Sequence, residues 1–85
     1  MTFHLFFAIP EQIVFNDEVF SVIIPGTLGS FEALKDHAPI LSTLISGTVE
    51  ILDKNKKSWV WKIPSGYFEM SHNKATLLVD SVDLN

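Results

Sequence analysis

The feature that most constrains this chain is an alternation of apolar and polar residues with a period of two, broken by turn residues roughly every ten positions. In the opening segment the odd-numbered positions from Phe3 to Ile9 share one side, and Pro10 ends the strand because proline donates no ladder hydrogen bond. Apolar residues at helical spacing are scarce. The pattern predicts an all-β fold, a flattened antiparallel β-sandwich of about ten short strands.

Turn residues divide the chain into strand segments. The clearest hairpin joins residues 48–52 and 58–63 around the lysine-rich tip 53–57. In its second strand, Trp59 and Trp61 share a face, and tryptophans so placed more often fill a core than form an open platform. The other predicted strands, with a turn at Asn16–Asp17 and with Phe20, Val22 and Ile24 sharing a face, are 3–9, 13–15, 18–24, 31–34, 40–45, 67–70 and 75–82.

The length of 85 residues predicts a single domain over residues 1–85 with one hydrophobic core. Cysteine is absent, so disulfides and cysteine-based metal sites are excluded. The longest apolar run, Leu5–Ile9, is far shorter than the roughly 20 residues that span a bilayer, so no membrane insertion is expected. The N-terminus lacks the features of a secretory signal, which indicates a cytoplasmic-side protein unless a targeting segment has been removed.

The charge balance argues against a nucleic-acid partner. The net charge is -4, the chain has no arginine, and three of its lysines crowd into residues 54–57. Nucleic-acid binding needs a basic face that displaces counterions from phosphates, and arginine is the favoured residue for planar phosphate recognition. We therefore expect no nucleic-acid partner.

The polar residues do not form a recognisable catalytic arrangement. The glycine-rich segment 26–30 lacks the Lys-Ser/Thr ending of a phosphate-binding loop. His4, His37 and His72 are far apart in sequence, so none forms a local pair of metal ligands. The adjacent acids Asp17 and Glu18 point to opposite sides of a strand. We predict a non-enzyme without catalytic residues, metal, nucleotide site or cofactor.

Several apolar residues occupy positions that the alternation assigns to the outside of the sheets. In a sandwich only the inner faces lie in the core, so outward apolar rows indicate a surface covered by another protein. Alternatively, some strands change sheets and bury both of their faces. The residues assigned outward are Phe6, Ala8, Leu41, Ile45, Leu77 and Val79.

Two sequence blocks carry a family resemblance. The first runs from Ile24 to Phe31 and continues with Leu34, the segment His37–Leu41 and Leu44; the second comprises residues 65–70 and 73–81. In order and spacing, and together with the opening strand that ends at Pro10, they resemble the N-terminal β-sandwich of the epsilon subunit of F-type rotary ATP synthases. The resemblance covers nearly the whole chain.

The resemblance implies a non-catalytic rotor subunit that couples the membrane c-ring to the gamma shaft, with the coupling ion, proton or sodium, left open. It also implies a monomer within a hetero-oligomeric complex, held peripherally on the cytoplasmic face of the energy-transducing membrane. The residues implied for the c-ring contact are Leu28, Gly29, Ser30, Phe31, Glu32, His37, Ala38 and Pro39. Those assigned to a gamma-facing surface are Phe6, Ala8, Pro10, Leu41, Ser42, Leu77 and Val79.

The sequence departs from the family pattern at two places. Many relatives carry an acidic residue at the position of Ser30; Glu32, which would point the same way in an extended segment, is hypothesised to supply the displaced charge. Many relatives also continue into two inhibitory helices, whereas this sequence stops at Asn85, so we expect no inhibitory hairpin if 85 residues is the natural length. Two other functions stay open: a ligand- or glycan-binding module using Trp59 and Trp61, and an enzyme.

Overall fold

The computed structural model describes residues 1–83, and within them eight strands form and no helix does. The all-β prediction is confirmed, with fewer strands than the ten or so expected. None of the described residues belongs to a helix that could cross a membrane. The strands are β1 (Phe3–Ile9), β2 (Gln12–Gly26), β3 (Gly29–Leu34), β4 (Ile40–Leu44), β5 (Gly47–Asp53), β6 (Ser58–Ile63), β7 (Gly66–Ser71) and β8 (Lys74–Val79).

The predicted turn at Asn16–Asp17 is wrong, because these residues lie inside the long strand β2. Asn16 pairs with Phe6 and Asp17 with Leu5 of β1. The polar side chains, which favour turns in isolation, bond to neighbours instead: the Asn16 oxygen lies 2.6 Å from His4 Nε2. Tertiary pairing thus overrides the local turn preference and merges two predicted strands into one.

Strand β2 changes layer at its middle. Its first half pairs with β1, and its second half pairs with β3 on one edge and with β5 on the other. The pairing with β5 shifts between Val19 and Ser21, so Val19 and Val22, three positions apart, are both fully buried. The prediction that Phe20 shares a face with Val22 and Ile24 is therefore wrong: Phe20 is only half-buried and lines the outer side.

One continuous sheet folds over so that its two parts face each other. We call β4, β7, β8, β1 and the first half of β2 the first layer, and β3, the second half of β2, β5 and β6 the second layer. Neighbouring strands are antiparallel except β1 and β8, which are parallel. The molecule measures 29 × 27 × 19 Å, so the flattened shape is confirmed.

The core lies between the two layers. It is built from the inward residues of every strand, and its largest fully buried side chains include three phenylalanines. Within residues 1–83 every buried side-chain nitrogen or oxygen has a hydrogen-bond partner. The largest fully buried side chains are Phe3, Leu5, Phe7, Val19, Val22, Ile24, Val49, Ile51, Phe68, Met70 and Leu77.

Candidate protein-docking surfaces

The turn between β2 and β3 presents one fully exposed leucine, Leu28. A Cβ atom on Gly26 would lie 2.8 Å from the Gly29 carbonyl oxygen, so only glycine fits there, and Gly29 has a φ of +133°, which disfavours side chains. The turn is also tied to β4, because the Thr27 amide donates to the Thr43 carbonyl oxygen at 3.1 Å. Leu28 is therefore a fully exposed apolar side chain on a well-supported turn.

After this turn, β3 divides its side chains between two sides. Ser30 and Glu32 are both exposed, whereas Phe31 turns inward, with its ring centroid 6.0 Å from that of Phe68 in an edge-on contact. The expectation that Ser30 and Glu32 point the same way is confirmed. Glu32 pairs with Ile23 on the second layer, farther from the turn than Ser30.

The segment His37–Pro39 lies at the other end of β3. The Asp36 amide donates to Asn73 Oδ1 at 2.7 Å, so this loop is fixed against the turn between β7 and β8. His37 Nδ1 lies 2.8 Å from the Ala38 carbonyl oxygen. The six residues of β3 separate Leu28 from this loop by about 17 Å. The strand predicted at 31–34 is confirmed and begins two residues earlier, so the eight residues assigned to the ring contact form two patches at opposite ends of β3.

The outer face of the first layer carries an apolar patch, which we call the first-layer patch: Phe6, Leu41, Tyr67 and Leu78. The register places Tyr67 beside Leu78, and Leu78 beside Ala8. Leu41 is 69% exposed and Leu78 is 42% exposed. Polar Glu69 separates Leu41 from the rest of the patch along the register. This surface resembles a docking face in composition.

Three of the residues assigned to the gamma-facing surface point away from this face, and a fourth lies on it but is covered. Leu77 and Val79 are buried, because Ala75, Leu77 and Val79 form the inward row of β8. Ala8 lies on the outer face between Ile13 and Leu78 but is itself only 9% exposed. Ser42 faces the opposite side from Leu41, as neighbours on a strand do. The outward assignments of Leu41 and Ile45 are confirmed, whereas Phe6 is only half-exposed.

Sequence reasoning missed Leu78 and Tyr67. The run Leu77-Leu78-Val79 is apolar throughout, so alternation alone does not show which residue faces outward. The information that could have oriented β8 lies in β7, its hairpin partner. The two strands join through a short turn, so that Phe68 pairs with Leu77 and Tyr67 pairs with Leu78, and paired residues face the same side. Glu69 follows Phe68, and a polar residue at this position is expected on the outer side if Phe68 faces inward.

A groove joins the Leu28 turn to the first-layer patch. β3 and β4 diverge on either side of the pair Gly26 and Leu44, and they leave a groove of about 550 Å³. Leu28, Leu41 and Tyr67 line it, and no charged residue does. Pro10, the remaining residue of the assigned gamma-facing surface, is exposed and lies beside Leu78 in a second, smaller groove.

The two tryptophans of β6 form a stacked ladder. Their rings are parallel to within 6° with centroids 6.0 Å apart, and Trp61 meets Phe7 edge-on at 5.2 Å. The Lys57 ammonium lies 4.3 Å from the Trp59 ring centroid. Trp61 packs against the core, but Trp59 is 37% exposed, so the expectation that both fill the core is wrong for Trp59. β6 is an edge strand with a neighbouring strand, β5, on one side only, so the inward-facing side of β6 is left partly open to solvent.

Asp53 organises the hairpin tip that holds this ladder. Its Oδ2 accepts from the Trp59 indole at 2.9 Å, and its Oδ1 accepts from the amides of Lys57 and Asn55. These three hydrogen bonds, led by the one from Trp59, hold the pKa of Asp53 below its ordinary value. Asp17 has its pKa lowered too, first by the Glu18 amide and then by the Lys54 ammonium.

The remaining histidines lie in different surroundings, and His4 joins two strands. The two ring nitrogens of His4 lie 3.2 Å from Glu18 Oε2 and 2.6 Å from Asn16 Oδ1, which links β1 to β2. His72 is exposed in the turn between β7 and β8. Across residues 1–83, no three side chains of the His, Asp or Glu type gather into a group that could hold a metal ion.

Comparison with known proteins gives a family and its fold. The family described as "ATP synthase, Delta/Epsilon chain, beta-sandwich domain" matches residues 2–84. The chain is 42% identical over 80 residues to the ATP synthase epsilon chain of Chlorobium limicola, covering 94% of this chain and 91% of that one. It is 38% identical over 73 residues to the ATP synthase epsilon chain of Protochlamydia amoebophila, covering 86% of this chain but only 50% of that longer relative.

Solved structures show the same fold in larger proteins. A chain of the Euglena gracilis mitochondrial ATP synthase, in a structure of OSCP, F1 and c-ring, matches with a TM-score of 0.90 at 14% identity over 96% of this chain and 52% of that one. A chain from the central stalk and c-ring of the Tetrahymena thermophila enzyme matches with a TM-score of 0.80 at 14% identity, over 94% of this chain and 64% of that one. Because the family profile spans nearly the whole sequence and the Chlorobium relative is covered over almost its full length, the chain belongs to the delta/epsilon-chain β-sandwich family of ATP synthases.

Proposed function

We propose that the chain is a non-catalytic central-stalk subunit of a rotary ATP synthase, where it couples the c-ring to the gamma shaft. The observation that carries this proposal is the family match over residues 2–84, together with a 42% identical epsilon chain of nearly the same length. A coupling subunit must hold two partners at once on a stiff body. The sandwich meets this requirement, because exposed apolar residues lie both on a supported turn, at Leu28, and on a separate sheet face, at Leu41 and Leu78.

The c-ring contact in this proposal is the turn at Leu28, Gly29 and Ser30. Leu28 is the most exposed large apolar residue of the described chain, and the turn beneath it is fixed by the Thr27–Thr43 hydrogen bonds. Glu32 faces the same side as Ser30 and is proposed to replace the acidic side chain that many relatives carry there. Phe31 packs edge-on against Phe68 beneath the turn and also lines the groove beside it.

The gamma contact in this proposal is the first-layer patch with Pro10 at its margin. The buried residues Leu77 and Val79 support that patch from below and do not touch a partner. The groove between β3 and β4 runs from Leu28 to Leu41, so the two contacts adjoin along an uncharged surface. Contact with both partners would hold the chain at the cytoplasmic membrane surface as a peripheral subunit.

His37 distinguishes two arrangements of the ring contact. The proposal places the ring at Leu28, about 17 Å from the His37 loop along β3. We therefore expect Leu28→Asp to abolish association with a purified c-ring and His37→Ala to leave it unchanged. The opposite result would move the ring contact to the other end of β3.

The experiment is co-purification of this chain with the gamma subunit and the c-ring, followed by reconstitution of ATP synthesis with and without it. Leu78→Asp is expected to weaken binding to gamma while keeping the ring contact, since it changes only the first-layer patch. Glu32→Gln is expected to weaken ring association alone. Failure of the unmodified chain to bind either partner, or ATP hydrolysis by the isolated chain, would contradict the proposed function.

The geometry disfavours the glycan-binding alternative. A sugar stacks on an open aromatic face, but Trp61 lies on one side of the Trp59 ring and the Lys57 ammonium lies above it. We expect titration with mono- and oligosaccharides to leave the tryptophan emission unchanged. Saturable quenching would return the binding-module function to consideration.

A further inference from the structure

The second layer ends at the edge of β6. Within residues 1–83, β6 pairs with β5 alone. In an antiparallel ladder, alternate residues turn their amide and carbonyl groups toward the neighbouring strand. The Asp53 amide donates to the Lys57 carbonyl oxygen at the hairpin tip, and this bond sets the alternation, so every second residue from Trp59 onward bonds to β5. The residues whose backbone groups point to the free edge are Ser58, Val60 and Lys62.

The segment after β8, residues 80–83, runs from β8 to this edge, and we call it the strap. It is fixed at its start, where the Ser65 hydroxyl donates to Asp80 Oδ2 at 2.6 Å. The Val82 side chain packs against the hydrophobic core. The Asp83 amide then donates to the Lys62 carbonyl oxygen at 3.4 Å. The strap therefore covers one of the outward backbone groups of β6.

The rest of the edge has few of the features that prevent a further strand from adding. Proteins protect exposed edges with proline, charged side chains or covering segments. β6 contains no proline and a single lysine. Its middle residue, Val60, is 59% exposed and β-branched, which suits strand pairing. The free edge of β3, in contrast, carries exposed Glu32 at its middle, and the His37 amide covers the Leu34 carbonyl oxygen at its end.

The edge of β6 is complementary to a second copy of itself. Pro64 ends the usable strand on one side, and Lys56, with a φ of +62°, ends it on the other. Between these limits, antiparallel pairing centred on Val60 places Val60 opposite its counterpart and Ser58 opposite Lys62 of the second copy. This register engages all three outward residues. It places no two like charges directly opposite each other, so nothing in the paired row repels the second copy.

We propose that the strap guards this edge, and that lifting the strap lets two copies of the chain join through β6 into one continuous sheet. The pairing of Ser58 with Lys62 uses the Lys62 carbonyl oxygen that the Asp83 amide holds. The strap and the second copy therefore compete for the same acceptor. This inference does not depend on the rotor function, and it uses none of the residues assigned to the ring or gamma contacts.

The test compares the unmodified full chain with Val82→Asp, which removes the apolar anchor of the strap and leaves β6 unchanged. We expect the unmodified chain to sediment as a monomer and the variant, at the same concentration, to have twice that molar mass. Hydrogen exchange followed by NMR gives a second measurement. The Val60 amide should exchange about tenfold more slowly in the variant than in the unmodified chain, because pairing protects it.

Two substitutions at Val60 separate edge pairing from exposure of the core. Added to Val82→Asp, Val60→Lys places the lysines of two copies opposite each other and should restore the monomer. The matched control, Val60→Thr, keeps a β-branched side chain and the same backbone groups, so the dimer should persist. If Val82→Asp does not fold by circular dichroism, Asp83→Pro takes its place, because proline removes the amide that donates to Lys62 and leaves Val82 on the core.

Four outcomes would overturn the inference. A strap variant that folds and stays monomeric would show that the edge does not pair, and an unmodified chain that already dimerises through β6 would show that the strap does not guard it. A dimer that Val60→Lys leaves intact, or that Val60→Thr disrupts equally, would place the contact elsewhere. Because no rotor component takes part, failure here is distinguishable from failure of the proposed function.

Discussion

Leu77 and Leu78 are adjacent and chemically identical, yet they point to opposite sides of β8, so replacing each by alanine measures which one the core contains. Leu77 is fully buried between its cross-strand neighbours Phe7 and Phe68. Removing a fully buried leucine costs about 3 kcal/mol, within a usual range of about 2 to 5 kcal/mol, because the cavity left behind is only partly refilled. For a chain of 85 residues with a total stability of roughly 4 to 13 kcal/mol, this is a large fraction.

Leu78 is 42% exposed, so its side chain already has much of its surface in water. Its replacement by alanine should cost about 1 kcal/mol, from roughly 0.8 kcal/mol for each methylene equivalent that loses cover. A domain of this size shifts its Tm by about 4 to 8 °C for each kcal/mol. We therefore expect Leu77→Ala to lower the Tm by roughly 12 to 24 °C and Leu78→Ala by roughly 4 to 8 °C.

The assay is thermal and urea unfolding followed by circular dichroism and tryptophan emission, with the denaturant slope compared between variants. If Leu77→Ala does not fold, Leu77→Met, which nearly conserves volume and should cost less than about 1.5 kcal/mol, gives the same ordering against Leu78→Met at smaller amplitude. Equal losses, or a larger loss for Leu78→Ala, would refute the inward placement of Leu77. They would also remove Leu78 from the proposed gamma contact.

Two further outcomes follow from the turns. Replacing Asp53 by asparagine should lower the Tm near pH 7, because the Trp59 indole then faces an amide with less acceptor capacity. The pKa of Asp53 is lower in the folded chain than its unfolded value near 3.8, so the ionised carboxylate stabilises the fold at pH values above 3.8. This stabilisation is lost as the pH falls through the lowered folded-state pKa. The Asp53→Asn variant has no such carboxylate and should therefore lose less stability than the unmodified chain between about pH 5 and pH 2. A steeper acid loss in the variant would contradict the assignment. Gly66→Ala should cost about 1 to 3 kcal/mol in unfolding experiments, since its Cβ would lie 2.6 Å from the Leu78 carbonyl oxygen, and an unchanged Tm would show that the close approach is relieved.

Local chemistry was enough to predict the class of fold and most strand segments. Alternation with a period of two is a property of neighbouring residues, and the hairpin of β5 and β6 agrees with its predicted bounds to within a residue. Prediction from local sequence failed where pairing with a distant strand decided the secondary structure. Asn16 and Asp17 look like a turn in isolation, but β1 pairs with them and keeps them extended.

The candidate site was predictable in residue type more than in arrangement. The glycines at 26 and 29 indicated a tight turn, and the structure shows the close approach and the positive φ that require them. The sequence predicted a strand at 31–34 between this turn and His37, but not its start at Gly29, which moves the turn farther from His37. Nor could it show that Asp83 lies against the edge of β6, because the two segments meet only in the folded chain.

The sequence by itself determined that the chain forms an all-β sandwich without cysteine chemistry, and which family it resembles, because alternation, turn residues and motif spacing are local properties. The tertiary structure decided which residues face outward wherever a strand is apolar on both sides. A run such as Leu77-Leu78-Val79 is compatible with either orientation, and the choice depends on pairing with β1 and β7. The physical reason is that a shift of one residue exchanges the two faces of a strand, and only the burial of the whole inward row against the opposite layer selects between them.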